Sequence, residues 1–156
     1  MKFKYSDGGK DVDGFGYTSY DCVTRAIAIA TGKPYWEVYG QIHSLNLKYA
    51  EKHNDELARD IRKGNGAKCS SPDDCVSGSI FRPYLLSLGW EYVQTKFDGK
   101  PCQIHLNELP SGKLIVCLRS HMVAVINSVI HDTYDCSKGG KRSVYGYYQK
   151  TKKKKI

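Results

Sequence analysis

The stretch Asp21-Cys22-Val23-Thr24-Arg25-Ala26-Ile27-Ala28-Ile29-Ala30-Thr31-Gly32 decides how the rest of the chain is read. Asp21 is a residue type that opens helices, and Gly32 one that ends them. Between the two, nearly every side is apolar, and only Thr24 and Arg25 interrupt. A helix that is apolar all round belongs inside a core. The segment therefore predicts a buried helix over residues 22–31 with a cysteine in its first turn.

Outward from that helix the pattern changes once. Pro34 suits the start of a second helix. Tyr35, Val38, Tyr39, Ile42, Leu45 and Tyr49 then recur at three- and four-residue steps toward an end near His53. Residues 56–63 and 79–87 predict two shorter helices, the second ended by Gly89, with a loop at 64–74 between them. From Trp90 onward the pattern is that of strands: 90–95, 113–118, 121–126, 129–133 and 143–148, with a short helical turn at 106–110. Asn127-Ser128 predicts a tight hairpin turn. Residues 1–20, rich in Gly, Asp and Tyr, have no period and read as an irregular lead-in. Helices first and antiparallel strands after give the fold class α+β, with one domain over 1–149 and a flexible lysine-rich tail over 150–156.

The chain has 156 residues, enough for one core. Hydrophobic residues make up 40% and charged residues 26% of it, so it has the composition of an ordinary globule and not of a disordered chain. No run approaches the roughly 18–20 apolar residues that span a bilayer. No apolar stretch follows the first basic residues, so no secretion signal is expected and the cytoplasm is the expected compartment. In that compartment reduced thiols are the default for the six cysteines. There is no CxxC pair and no histidine pair at finger spacing, so no metal site is expected; nor is a cofactor. The formal charge is +8, of which Lys150, Lys152, Lys153, Lys154 and Lys155 supply five, leaving a body of +3. Such a tail is a solvated end or a handle for an anionic partner.

The chemistry centres on Cys22. Unpaired N–H groups and the dipole at a helix N-terminus favour a thiolate and can also bind the oxyanion formed when a carbonyl is attacked. A cysteine on an apolar helix equally suits plain packing. A working thiol needs an imidazole held by a third group. Among five histidines, His43, His53 and His105 fall on helix surfaces or turns, and His131 points away from Asp132 by strand alternation. His121 opens the most apolar strand, and Asp132 lies across the hairpin turn from it. A histidine packed in a strand is the plainer alternative for His121.

The segment from Asp21 to Gly32, together with Ser120-His121-Met122-Val123-Ala124-Val125-Ile126 and Val129-Ile130-His131-Asp132-Thr133-Tyr134-Asp135, resembles the nucleophile helix and histidine hairpin of small papain-like cysteine proteases of phages and bacteria. The resemblance covers about 60% of the chain. It implies Cys22 as nucleophile, His121 as general base and acid, and Asp132 as the orienting residue, with Asp135 as runner-up. Such enzymes usually place a Gln or Asn a few residues before the cysteine to build the oxyanion hole. This chain has neither before Cys22, so Thr18, Ser19, Tyr20 or a backbone N–H would donate instead. The implied activity is cleavage of a peptide or amide bond through an acyl-thioester at Cys22, in a protein or peptide substrate or in peptidoglycan. A binding protein that uses the fold as a scaffold, for instance in phage–host interaction, is the alternative. Nucleic-acid binding through the tyrosines and the lysine tail has no motif behind it.

Overall fold

A computed structural model describes residues 1–11, 21–63 and 78–152. Within them the chain is a mixed α+β domain of four helices and one six-stranded sheet. The elements in chain order are β1 (Lys2–Tyr5), α1 (Cys22–Thr31), α2 (Tyr35–Lys52), α3 (Glu56–Lys63), α4 (Phe81–Ser87), β2 (Trp90–Gln94), β3 (Lys113–Leu118), β4 (His121–Ile126), β5 (Val129–Asp132) and β6 (Gly146–Lys150), with a 3-10 turn at Leu106–Glu108. The strand order across the sheet is β1-β5-β4-β3-β6-β2.

The apolar runs of β3 and β4 are buried on both faces, as continuous hydrophobic strands must be. On one face α1 lays Val23, Ala26, Ile27 and Ala30 over Ile115, Cys117, Met122, Ala124 and Tyr148. The other face, carrying Leu114, Val116, Val123, Val125 and Ile130, is covered by Leu106, Leu109, Cys136 and Val144 from the irregular segments around the 3-10 turn and before β6. The β4–β5 hairpin turns on Asn127 and Ser128, at φ 48° and 65°, with Ile126 opposite Val129. Positive φ at both central residues gives a turn whose twist matches that of the strands. Gly146 is fixed by a close approach: a Cβ there would stand 2.1 Å from the Tyr92 hydroxyl, whose ring lies across β6.

Four expectations are corrected. The lead-in is not wholly irregular, because residues 2–5 form β1, an edge strand with all four residues exposed. It pairs with β5 in parallel, Lys2 opposite Val129 and Tyr5 opposite Asp132, so the sheet is mixed and not antiparallel throughout. Asp21 stands at the N-cap position of α1, but its side chain makes no capping bond. Finally, β6 starts three residues and ends two residues later than expected. Val144 and Tyr145 are engaged by the backbone of Ile104 and Cys117, whereas Lys150, read as the start of the tail, pairs with Trp90. Gly32 does end α1, at φ 75° with its N–H donating to the Ala28 carbonyl. The 64–74 loop lies outside the described residues, as do the last four residues of the tail.

Candidate functional site

Cys22 opens α1 and His121 opens β4, and the packing of α1 on β4 brings these two starts together. The His121 ring lies within hydrogen-bond reach of the Cys22 thiol. Its Nε2 meets Asp132 Oδ2 at 2.7 Å, which leaves Nδ1 as the ring nitrogen for sulfur. Asp132 is the last residue of β5, and its other oxygen accepts from the Thr133 N–H at 2.7 Å. All three side chains are buried: Cys22 and His121 are 6% exposed and Asp132 is 2% exposed. His131, next to Asp132, is half-buried and takes no part.

The electrostatics of the group follow from this packing. Burial by itself pushes the His121 imidazole down, but hydrogen bonds to Asp132 and Cys22, and the charges of both, overturn that and lift it to about 9. Burial likewise pushes the Asp132 carboxyl up, yet His121, the Thr133 N–H and Arg25 hold it below the usual carboxylate range. The imidazolium form is therefore the stable one beside a charged Asp132.

Several residues at this centre were not identified from sequence. Arg25, taken as an interruption of an apolar helix, reaches Asp132 Oδ1 with Nη2 at 3.2 Å, while its Nη1 pairs with Asp21. Asp21, taken as a helix cap, also accepts from the Tyr35 hydroxyl at 2.8 Å and pairs with Lys10 Nζ at 3.1 Å. The four-residue spacing of Asp21 and Arg25 was the available signal. The Tyr134 ring stands 5.5 Å from the His121 ring and is half-exposed.

Cys136 also belongs here, since donor atoms of His121, Asp132 and Cys136 all lie within 4.8 Å of one another. A buried N/O/S set of this kind has the donor chemistry of a zinc site. Two features work against a cation: His121 and Asp132 already bond each other directly, and the Arg25 charge sits on the same carboxylate. The Cys136 thiol is pushed up to about 12 by burial and then by Asp132, so it is a neutral neighbour.

The remaining expected residues fall elsewhere. Asp135, the runner-up for the orienting role, is exposed and accepts from the Ser137 N–H and hydroxyl at 3.0 and 2.6 Å, whereas the bond to His121 comes from Asp132. Thr18, Ser19 and Tyr20, the expected oxyanion donors, lie outside the described residues, as do Cys69 and Cys75. Cys22, Cys102, Cys117 and Cys136 are free thiols.

A separate cavity of about 450 Å3 opens at the other end of α1. Ala30, Thr31, Leu88 and Trp90 form its apolar wall, and Lys33, Lys113 and Lys150 line it. No helix among the described residues is long and apolar enough to cross a membrane. Comparisons with protein-family models, with curated proteins and with solved structures find no match to this chain.

Proposed function

We propose that this chain is a papain-like thiol hydrolase that cleaves a peptide or amide bond with Cys22 as nucleophile. One observation carries the reading: a buried imidazole that meets the Cys22 thiol on one side and a charged carboxylate, Asp132, on the other. At the start of the reaction the thiol proton rests on His121 Nδ1, and Asp132 stabilises that imidazolium. The thiolate adds to the carbonyl carbon, and the N–H groups of the first turn of α1 supply donors for the oxyanion. The imidazolium then protonates the departing amine, leaving an acyl-thioester, and water activated by His121 releases the acid and restores the thiol. A peptidase and a peptidoglycan amidase share every one of these steps.

The test is labelling of the native protein with a trace of iodoacetamide from pH 5 to 9, each cysteine read by mass spectrometry, with His121→Ala in parallel. Selective labelling of Cys22 below pH 7 that collapses in the variant is the expected result. Labelling no faster than that of Cys102, and indifferent to His121, would sink the mechanism.

The lysine-lined cavity favours a second reading, in which the chain binds an anionic partner. Lys150 lines the cavity beside Lys33 and Lys113, and in sequence it begins the lysine-rich segment. Binding through it should weaken steeply as salt rises. Retention on a polyanionic resin that ignores salt between 50 and 300 mM would argue against it.

A further inference from the structure

We propose that Arg25 is a positioning residue of the thiol site: its guanidinium fork holds Asp132 against His121 and is itself anchored by Asp21, the residue before Cys22. The role in catalysis rests on the thiol-hydrolase reading; the positioning itself does not.

An arginine on a helix buried on nearly all sides is costly unless it is paired. Only 12% of the Arg25 side chain is exposed, and its two Nη atoms reach two carboxylates, one at the start of its own helix and one at the end of β5. Asp132 thus has Oδ1 committed to Arg25 and the Thr133 N–H, and Oδ2 committed to His121. A carboxylate bound on both oxygens cannot rotate away from the imidazole. Asp21 receives three partners, Lys10, Arg25 and Tyr35, from three segments of the chain. Arg25 therefore ties the start of the nucleophile helix to the end of the acid strand. A lysine would keep the charge but not the fork, because one ammonium is a point donor on a flexible stem.

The groups facing His121 are Asp132 from β5, Cys22 from α1, and Tyr134 and Cys136 from the segment after β5, with Arg25 behind Asp132. Tyr134 and Cys136 are both raised, mainly by burial, and stay neutral at the pH of the test. Two effects of Arg25 on His121 then have opposite signs. As a nearby cation it opposes the imidazolium; as the holder of Asp132 it favours it.

The experiment is NMR titration of the His121 ring in the full chain, in Arg25→Met and in Arg25→Lys, repeated with Cys22→Ser so that no thiolate contributes. Asp21 keeps Lys10 and Tyr35 in both variants, so no carboxylate is left bare. The expected result is a His121 midpoint lowered by about one pH unit in Arg25→Met, partly restored in Arg25→Lys. Cys22 alkylation at pH 6 should slow about tenfold in Arg25→Met. A His121 midpoint that rises or stays put in Arg25→Met would show a bystander cation and overturn the proposal. If that variant does not fold, Arg25→Lys decides alone: charge is conserved there, so a midpoint equal to that of the unaltered chain overturns it. A lowered midpoint with no selective Cys22 labelling in the unaltered chain would keep the positioning role and remove the hydrolase.

Discussion

The two ends of α1 face the same helix dipole and meet it in opposite ways. At the N-terminal end the charges are buried and paired: Lys10, Arg25 and His121 share Asp21 and Asp132, with the Cys22 thiol among them. At the C-terminal end, cations also complement the dipole, but Lys113 and Lys150 are exposed and Lys33 is half-buried around an open cavity. Burial turns electrostatics into fixed geometry at one end, and solvent leaves it as a screened field at the other. The first arrangement can orient one proton between two atoms. The second can attract an anion without fixing where it sits.

The largest effect that would break this contrast is at Asp132. Asp132→Asn keeps the shape of the side chain but removes the charge that stabilises the imidazolium. Low-pH alkylation of Cys22, and any hydrolysis assigned to it, should fall by about a hundredfold or more. A loss below threefold would mean that the carboxylate only fills space.

Next comes the dependence of stability on pH. The folded-state value of His121 is about 9, above the ordinary 6.5, so its contribution is fully present below about 6.5 and is lost as pH rises through about 9. The loss amounts to up to roughly 3 kcal/mol. Denaturant midpoints should decline from pH 7 to 10, and the decline should flatten in His121→Gln. The paired acid has the opposite sign: Asp132 is depressed, so its contribution is present above the unfolded value and is lost as acid protonates it. His131 sharpens the contrast within one hairpin. Partial burial and then Lys4, its neighbour on β1, lower it, so its NMR titration should lie below that of His121 and below the ordinary histidine value.

The smallest effect is expected at the far end. Lys33→Glu with Lys113→Glu should leave Cys22 labelling within about twofold, because charges beyond a Debye length of about 10 Å are largely screened. The same pair should reduce retention on a polyanion. A change at Cys22 larger than tenfold would show that the two ends are coupled.

Much of this was legible in the sequence because burial leaves a pattern. The all-round apolar face of α1 and the apolar runs of β3 and β4 specified a helix on a sheet, and the short turn at Asn127 placed Asp132 near His121. β1 left no such trace. Its four residues are exposed on the edge of the sheet and held by backbone bonding to β5, so neither period nor burial distinguished Lys2-Phe3-Lys4-Tyr5 from a loop. The partners of Arg25 were hidden for a different reason. The nearer, Asp21, lies one helical turn away, but Asp132 lies 107 residues downstream, and only the folded sheet brings it back. Cys136 lies beyond the last strand of the hairpin, where the sequence shows no period, and it is the return of that segment toward the sheet that carries it to Asp132.

The parallel pairing of β1 with β5 also bears on when the site can exist. β1 and α1 are synthesised well before β5, the strand both must meet. At about 5–20 residues per second, the interval between Arg25 and Asp132 is on the order of ten seconds. For that time each nascent chain carries Cys22 without its imidazole or its carboxylate. The thiol meets the imidazole and the carboxylate only when the β4–β5 hairpin has emerged and closed, so the topology leaves the Cys22 site incomplete until most of the sheet is made.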